Sequence, residues 1–514
     1  MTASRTIVET PADDLRGWFQ GLSADGYRLA LVSGHHDPAS PGATGSGNGN
    51  GNGNGNGDTL RVVYLLVAGP PDSRIELHVT LPADKPMLPS LADLSFPVSR
   101  FERELHDLFG IVPVGHPAPA RLTLHQHWPA SWHPLRHDAG PPPPFGDESE
   151  PYPFTPVEGP GVYEIPVGPV HAGLIEPGHF RFSVVGETIL TMKARLWFVH
   201  KGTEALFQGR TPRAGIELAE RISGDTAVGH CLAYCLAIED ATQQPAPPEA
   251  QVLRAVLLEL ERLHNHIADL GAMCNDVGFG IIHSHTQRIR EQLLRLNAQV
   301  TGHRLLRGGV VPGGATAQTL PTTATLDHIA ADVHDLVDIV TANSTVVDRF
   351  TGTAVLAPEH AAELGTLGYV ARASGIERDA RRSHPFADLY STLRVPVHSD
   401  GDVLARFTVR VAELDASIAL LHGLLADAQP GTHGDIDRPL PATLPSGVGL
   451  VEGWRGTIAH RIELADDATV RRVKIVDPSF FNWPALSVAL ADTIVPDFPL
   501  ANKSFNLSYA GNDL

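Results

Sequence analysis

The chain has 514 residues, of which 42% are apolar, and a formal net charge of −19 at pH 7. This length allows two to four domains with a large core. The acidic balance argues against nucleic acid as a partner and against direct adhesion to anionic lipid, because both require an excess of Lys and Arg.

The chain has three cysteines, Cys231, Cys235 and Cys274. This odd, sparse number excludes a disulfide framework and any four-cysteine metal or cluster site made by this chain alone. The sequence shows neither a secretory signal pattern nor an apolar run of about 20 residues. We therefore expect a cytoplasmic protein, or one held at a membrane by other subunits.

The N-terminal part predicts a small α+β domain over residues 1–138. Residues 41–58 alternate Gly and Asn and predict a flexible insertion. The apolar runs 60–69 and 73–82 are separated by Pro-Pro-Asp, which predicts a β-hairpin. The apolar spacing of residues 101–110 predicts a helix.

A segment rich in Pro and acidic residues, 139–160, predicts an extended linker before a second domain, 161–514. After a short β-like entry, helical periodicity dominates this domain. We expect a mainly α domain with a long-helix bundle and small β elements. The predicted long helices are 249–274, 284–306, 325–350 and 402–427.

Three stretches of the N-terminal domain occur in a specific order: FERELHDLFGI (101–111), GHPAPARLTLHQHW (115–128) and HPLRHD (133–138). This order resembles the signature of the small peripheral subunit of NADH:quinone oxidoreductase, respiratory complex I. Histidines of these stretches could suggest metal binding, but no Cys or acidic ligand set accompanies them, so we interpret them as structural.

The second domain resembles the large subunit of group 4 membrane-bound [NiFe] hydrogenases and its complex I relative. The fusion of both units in one polypeptide is similar to the large subunit of formate hydrogenlyase. The matching segments are 168–182, FVHKGTEAL (198–206), ERISGDTAVGH (220–230), ELERLHNH (259–266), 372–382, EGWRGTI (452–458) and DPSFFNWPAL (477–486).

The four cysteine positions of the hydrogenase pattern carry Ser223, Thr226, Ser508 and Gly511 in this chain. The resemblance implies that hydrogenases hold nickel and iron with two Cys-x-x-Cys pairs at these positions. Nickel in such a site depends on soft thiolate sulfur, whereas hydroxyls stay protonated near neutral pH and bind soft metals poorly. We therefore predict no metal held by this chain. We expect Cys231 and Cys235 to pack as small apolar residues.

The resemblance to complex I is also incomplete at the quinone-facing positions. Of the family's two quinone contacts, one falls at Ile175 and the other at Gly224, and neither side chain can hydrogen-bond to a quinone. His171 is kept and is a candidate for a quinone pocket.

A remodelled pocket is the functional hypothesis for the polar residues around the lost cysteines. It would be a substrate or quinone pocket, or a proton entry point, and the alternative is a collapsed cavity sealed by small polar residues. The candidates are Ser223, Asp225, Thr226, His230, Arg455, Ser508, Asn512 and Asp513.

Glu204 and two histidines have a functional and a structural interpretation each. Glu204 is either a proton relay or a buried carboxylate paired with Lys201 or Arg221, and we favour the pairing. His264 and His266 lie in a predicted helix, where packing and helix–helix hydrogen bonds are the favoured use.

The resemblance implies the large subunit of a membrane-associated, NADH:quinone oxidoreductase-like and hydrogenase-related complex. It would pass electrons between a neighbouring iron–sulfur subunit and a quinone or other small acceptor. A structural coupling subunit without redox chemistry is the alternative, and a formate hydrogenlyase-type hydrogenase ranks lowest. The implied partners are a small iron–sulfur subunit, a ferredoxin-like subunit and ion-translocating membrane subunits, on the cytoplasmic side of the membrane. The resemblance implies no cofactor bound by this chain itself; NADH, if the complex uses it, would bind elsewhere.

Overall fold

The computed structural model describes residues 4–38, 57–146, 152–171, 173 and 175–514. The chain divides into two compact units, residues 2–155 and 156–514. Residues 41–56 of the predicted insertion and 147–151 of the predicted linker lie outside the described residues.

The first unit is built on a four-stranded sheet in the order β1-β4-β3-β2. Strands β3 and β4 form the predicted antiparallel hairpin, and β1 joins the edge of β4 in parallel. Strands β5 and β6 pair separately, also in parallel. The elements are β1 (Ser4–Glu9), α1 (Leu15–Ala24), β2 (Arg28–Asp37), β3 (Thr59–Ala68), β4 (Ser73–Pro82), β5 (Met87–Pro89), α2 (Phe96–Phe109) and β6 (Val112–Val114).

The signature residues of the first unit serve its architecture. Helix α2 ends at Gly110, which adopts the left-handed conformation that favours glycine. Asp107 Oδ2 accepts hydrogen bonds from the backbone N–H groups of Leu122, Thr123 and Leu124 at 2.7–3.2 Å. His133 Nδ1 lies 3.1 Å from the Asp107 carbonyl oxygen. The helix therefore anchors the loops after it.

The second unit combines a helix bundle with three small sheets, in the orders β7-β8-β9, β10-β11-β12 and β13-β14-β15. Its strands are β7 (Val162–Val167), β8 (His179–Val185), β9 (Thr188–Arg195), β10 (Val310–Val311), β11 (Gly314–Ala317), β12 (Gly431–Gly434), β13 (Ser446–Gly453), β14 (Gly456–Leu464) and β15 (Val470–Val476).

The helices of this unit include the four predicted long helices. The third of these is interrupted, because Asn343 caps a new helix with its side chain. The helices are α3 (Thr203–Leu206), α4 (Ile216–Ala219), α5 (Ala227–Thr242), α6 (Pro248–Asp276), α7 (Gly280–Thr301), α8 (Thr323–Thr341), α9 (Ser344–Phe350), α10 (Pro358–Glu363), α11 (Gly368–Ala373), α12 (Ala380–Ser383), α13 (Val403–Asp427), α14 (Pro478–Ala489), α15 (Phe498–Phe505) and α16 (Tyr509–Asp513).

Helix α6 is the centre of the bundle and packs against α7, α13 and α15. It buries both apolar and charged side chains. Each buried charged side chain requires a hydrogen-bond or ion-pair partner. His266 Nε2 lies 2.9 Å from Glu413 Oε2 on α13, so the predicted helix–helix hydrogen bond is confirmed for this histidine. His264 instead bonds within α6, to the Leu260 carbonyl at 3.1 Å.

Strand β13 lies directly on helix α5. A Cβ atom at Gly447 or Gly449 would overlap backbone atoms of α5, so this close approach requires glycine. The contact fixes the turn after β13 relative to the start of α5. Among the described residues, no helix combines the length and apolar character needed to cross a bilayer.

Candidate functional site

A cleft of about 390 Å³ opens in the second unit where four distant parts of the chain meet. They are the segment before β8, the segment before α5, the turn between β13 and β14, and the stretch from α15 into α16. The lining residues are Ile175, Glu176, Ser223, Gly224, Asp225, Arg455, Asn502, Lys503, Asn506, Leu507, Ser508 and Tyr509.

An ion pair between Asp225 and Arg455 dominates the cleft. The two Nη atoms of Arg455 donate to the two carboxylate oxygens of Asp225, each at 2.7 Å. Arg455 Nε donates to the Asn506 carbonyl at 2.6 Å, and the guanidinium lies 4.0 Å from the Trp454 ring centre. The bidentate pair thus ties the segment before α5 to the tail.

The electrostatics of this pair keep the Asp225 carboxylate ionised. Burial raises the pKa of Asp225, but the Arg455 charge and hydrogen bonds from Arg455, Ser223 and Thr226 outweigh it and hold the pKa well below its ordinary value. The side chain of Asp225 is 35% exposed, whereas that of Arg455 is 4% exposed. The carboxylate is therefore the part of the pair that faces the cleft.

Three of the four positions that the resemblance aligns with hydrogenase cysteines are joined through their hydroxyl groups. The Oγ atoms of Ser223 and Ser508 are 2.8 Å apart. Ser223 and Thr226 also donate to Asp225 Oδ1, at 2.9 and 3.0 Å. Ser508 Oγ accepts the Gly511 N–H at 2.9 Å and so caps α16. The expected meeting of the two segments in space is thus present.

The fourth position, Gly511, lies against the Asp477 carboxylate. A Cβ atom at Gly511 would be 2.6 Å from both Cγ and Oδ2 of Asp477. The same Oδ2 is 2.9 Å from His230 Nε2, and His230 Nδ1 is 3.1 Å from His460 Nε2. A buried Asp477–His230–His460 chain therefore occupies the space beside this position.

The pKa shifts within the Asp477–His230–His460 hydrogen-bonded series favour a charged Asp477 and a neutral His460. Burial raises the pKa of Asp477, but His230 and Arg455 outweigh it and lower that pKa. Burial, reinforced by His230, lowers the pKa of His460 well below its ordinary value. His230 is 0% exposed and is not among the described residues that line the cleft.

Family descriptions match three parts of the chain. Residues 22–143 match "Respiratory-chain NADH dehydrogenase, 30 Kd subunit", and residues 276–445 match the 49 Kd subunit of the same enzyme. Residues 201–270, which include the segment before α5, match "Nickel-dependent hydrogenase".

Formate hydrogenlyase subunit 5 of Escherichia coli is 32% identical over 460 residues, covering 85% of this chain and 79% of that protein. The chain belongs to the hydrogenase and complex I large-subunit family. Hydrogenase-4 component G of Escherichia coli is 34% identical, with 80% of this chain and 73% of that protein covered. The NADH-quinone oxidoreductase C/D subunit of Phocaeicola vulgatus is 28% identical, with 76% and 80% covered.

The predicted resemblance to a fusion of small and large subunits is confirmed by these matches. Among solved structures, a chain of an archaeal respiratory membrane complex, the membrane-bound sulfane sulfur reductase, shares the fold with a TM-score of 0.63. It is 24% identical, and the likeness covers 69% of this chain and 99% of that one.

Two predicted site residues of this family member lie at the chain's C-terminal end, away from the cleft lining. Asn512 donates to Asp513 Oδ1 at 2.8 Å, and Asp513 Oδ2 accepts the Val199 N–H at 3.2 Å. Burial raises the pKa of Asp513 to about 6. Both residues thus hold the tail in place, and neither is among the described residues that line the cleft.

His171 is also not among the described lining residues. Its ring centre is 6.4 Å from that of Tyr509, which does line the cleft, and 5.7 Å from that of Phe180. Burial lowers the pKa of His171, which favours the neutral imidazole. His171 thus packs behind Tyr509.

Glu204 is a buried paired carboxylate, but the partners predicted for it are wrong. It lies 2.7 Å from Arg472 Nη1 and 3.3 Å from Lys474 Nζ, and it accepts the Ile475 N–H at 3.0 Å. Burial raises its pKa, but the two cations outweigh burial and lower it. The partners come from β15, which residue spacing alone could not bring beside α3.

Replacing Glu204 with Ala should destabilise the chain by about 3–5 kcal/mol, because Arg472 and Lys474 would stay buried without a counter-charge. Chemical denaturation measures the loss. Glu204→Gln is the matched control, since it keeps an acceptor for the Ile475 N–H and loses only the charge, and we expect a smaller loss. Equal stability of Glu204→Ala and the wild type would contradict the pairing.

Sequence reasoning missed several residues of the site. Asp477 and Trp454 lie inside the family segments DPSFFNWPAL and EGWRGTI, so a signal is present there that does not single out either residue. Glu176 lies inside the family segment 168–182 in the same way, whereas Lys503 and Tyr509 carry no signal, because only the fold brings them to the cleft.

Glu261 is a further missed residue behind the segment before α5. It accepts the N–H groups of Val228 and Gly229 at 2.6 and 2.9 Å and thereby caps α5. Burial raises its pKa to about 8, against the lowering effect of these two hydrogen bonds. The raised pKa brings the protonation of this carboxyl group, at the start of α5, close to neutral pH.

The described residues contain no group of three or more His, Cys, Asp and Glu side chains placed to hold a metal ion. Cys231 and Cys235 are buried in α5, and Cys231 Sγ contacts the Val310 carbonyl at 3.4 Å. Hydrogen bonding with Cys235 and burial raise the pKa of Cys231 well above its ordinary value. Both thiols are packed in the core, which agrees with the prediction.

Proposed function

We propose that the chain is the large subunit of a membrane-associated, complex I-like and hydrogenase-related oxidoreductase. It would pass electrons between a neighbouring iron–sulfur subunit and a small acceptor, a quinone or another molecule, bound in the cleft. The complex would include ion-translocating membrane subunits and a ferredoxin-like subunit, with this chain on the cytoplasmic side. The relatives named as subunits of formate hydrogenlyase, hydrogenase-4 and NADH-quinone oxidoreductase support this assignment.

The observation that carries the proposal is the open, polar cleft at the family's reaction site. Ser223, Gly224 and Ile175 line it, so it contains positions of the lost cysteines and of both missing quinone contacts. A volume of about 390 Å³ falls within the range of small-molecule sites. A dry, filled cavity is what a purely structural role predicts, and an open cleft favours binding.

The residues at the former metal positions do not fit a nickel–iron centre, and we propose that the chain works without one. Three of the positions offer neutral hydroxyls that are already engaged with Asp225 and with one another. The fourth has no side chain and abuts the Asp477 carboxylate. Soft thiolates, which such a centre requires, are replaced by a hydrogen-bonded oxygen network.

This chain's own residues can position an acceptor and hold charge next to it. The Asp225 carboxylate faces the cleft and Arg455 fixes its orientation, so a hydrogen-bond donor on the acceptor would be oriented by Asp225. Lys503 and Glu176 add one charge of each sign at the rim. A polar molecule with both donors and acceptors is the best match to this lining.

The first test is the composition of the native complex purified through this chain. We expect iron without nickel by elemental mass spectrometry, together with an iron–sulfur subunit and membrane subunits. Reduced complex should then pass electrons to one of a panel of quinones and water-soluble acceptors. Stoichiometric nickel would contradict the proposed lack of the metal centre.

A structural role in coupling is the second candidate function, and the mutual hydrogen bonds of Ser223, Thr226, Ser508 and Asp225 favour it. A complex with all subunits present that reduces no acceptor would support this alternative. Loss of electron transfer in Asp225→Asn, with the complex intact, would exclude it.

A further inference from the structure

A cluster of buried charges lies beneath the turn that carries Trp454 and Arg455. The guanidinium groups belong to three arginines and the carboxyl groups to four acidic residues, and each of these side chains is 0–2% exposed. The cluster consists of Arg262, Arg372, Arg381, Glu259, Asp379, Glu413 and Glu452, with His266 beside Glu413.

Three of the four carboxyl groups each contact two arginines. Glu413 contacts Arg372 at 2.6 Å and Arg262 at 3.6 Å. Glu259 contacts Arg262 and Arg381, both at 3.1 Å. Asp379, which directly precedes α12, contacts Arg381 at 2.7 Å and Arg372 at 3.5 Å. The negative charge of each of these three carboxylates is therefore balanced by neighbouring arginines.

Glu452 is the exception, because it contacts a single arginine. Its Oε1 accepts from Arg372 Nη1 at 2.8 Å. Its Oε2 accepts hydrogen bonds from Thr457 Oγ1 at 2.8 Å and from the Ala380 N–H at 3.0 Å. Arg378, part-exposed at the rim, bonds to the Thr366 carbonyl and forms no ion pair with Glu452 in the described part of the chain. The surplus negative charge of the cluster therefore falls on Glu452.

His266 does not supply the missing positive charge. Its Nε2 is 2.9 Å from Glu413, but its Nδ1 is buried with no hydrogen-bond partner in the part of the chain that the structure describes. A protonated ring would bury an unsatisfied N–H, which is unfavourable. Burial itself, with Arg262 and Arg410 facing the ring, lowers the pKa of His266. Arg410 is itself paired with Asp269 at 3.0 Å.

We propose that this cluster binds one exchangeable proton, which the carboxyl group of Glu452 holds in the resting protein. The step is an acid dissociation, in which the O–H bond of Glu452 breaks, the proton passes to solvent water and the acid becomes a carboxylate, with no change of oxidation state. A neutral Glu452 balances the fully buried cluster at three positive and three negative charges, with the part-exposed Arg378 outside that count. Protonation would reverse the bond that Thr457 Oγ1 donates to Glu452 Oε2, so that the acid donates to Thr457. A net charge in a dry interior is costly, so the proton is retained.

The direction of the pKa shift agrees with the geometry. Burial raises the pKa of Glu452, and the nearby Asp379 carboxylate raises it further, against the lowering effect of Arg372. Arg378, Arg262 and Glu413 complete the set of charged groups around it.

The position of Glu452 links this proton to the cleft, an extension that rests on the proposed function. Glu452 is the second-last residue of β13, just before the turn that presents Arg455, and Arg262 donates to the Glu452 and Gly453 carbonyls at 2.7 and 3.1 Å. A change of charge in the cleft would therefore act on the proton through this turn. Reduction of a bound acceptor should be accompanied by a change in the protonation of Glu452.

Infrared difference spectroscopy of the full chain in its native complex tests the proton without any turnover. We expect the C=O stretch of a protonated carboxylic acid at pH 7 that disappears in Glu452→Gln and fades in the wild type as pH rises. Thr457→Val should shift its frequency, because the acceptor of the acid's hydrogen bond is removed. A spectrum unchanged by Glu452→Gln would overturn the proposal, whether or not the complex reduces an acceptor.

Thermal unfolding gives a matched comparison. Glu452→Gln replaces a neutral acid by a neutral amide, so the melting temperature should stay within about 2 °C of the wild type. Glu413→Gln removes an ionised partner of two arginines and should lower it by several degrees or prevent folding. An equally large loss in Glu452→Gln would mean that Glu452 is ionised, and would also overturn the proposal.

Discussion

Replacing Arg455 with Met should destabilise the chain by about 2 kcal/mol and abolish electron transfer to an acceptor in the cleft. This loss of unfolding free energy lies between the values for exposed and for buried ion pairs, because Arg455 is buried while Asp225 is partly exposed. Without the guanidinium, Asp225 loses two 2.7 Å hydrogen bonds and the tail loses its contact at Asn506. Chemical denaturation and acceptor reduction by the purified complex measure the two effects.

The pH dependence of stability provides the control for this substitution. The pKa of Asp225 is lowered in the folded chain, so its stabilisation is fully present above the unfolded value of about 4 and is lost as pH falls below it. Arg455→Met should make the stability of the chain depend less on pH below about pH 4. Arg455→Lys keeps the charge without the two-pronged geometry and should recover only part of the stability. An identical pH dependence in wild type and Arg455→Met would contradict the role of the pair.

Replacing Gly511 with Cys should destabilise the chain by roughly 3 kcal/mol rather than rebuild a metal ligand. The new Cβ atom would be 2.6 Å from the Asp477 carboxylate, which must then move away from His230. Denaturation of the full chain and nickel analysis after growth with added nickel are the measurements. We expect reduced stability and no nickel, even when Ser223, Thr226 and Ser508 are replaced by Cys as well.

Gly511→Ala separates volume from sulfur chemistry, because it adds the same Cβ atom without a thiol. It should cost nearly as much stability as Gly511→Cys. Ser508→Cys is a second control, since it changes a helix cap without a steric overlap and should cost about 1 kcal/mol. A Gly511→Cys protein as stable as the wild type would show that Asp477 does not fill this space.

Local patterns predict the elements of the fold better than the contacts of the site. The β3–β4 hairpin and the long helices follow from alternation and helical periodicity. The sheet β13-β14-β15 is only partly predictable, because its first strand is buried along its length and carries three glycines. The position of β13 is determined by its close approach to α5 rather than by residues with a high strand propensity.

The candidate site is predictable where a motif points to a position and is missed where tertiary packing decides. Ser223, Asp225, Arg455 and Ser508 do meet at the cleft, as the family pattern indicates. Asp513 is only five residues from Ser508, yet its carboxylate accepts the Val199 N–H, and Asn512 donates to that carboxylate. The partners of Glu204 come from a strand about 270 residues away, a contact that no local pattern contains.

The cleft joins residues that are far apart in the chain, and the two serines whose hydroxyls meet are separated by 285 positions. Contacts between residues so far apart in sequence form only after the intervening helices and sheets have folded. Those elements shorten the flexible loop and so reduce the entropy cost of closing it. A chain that is still folding therefore exposes no finished binding site. If the proposed acceptor binds there, its binding would report completed folding, and a complex that docks a redox partner at this surface would admit only fully folded chains.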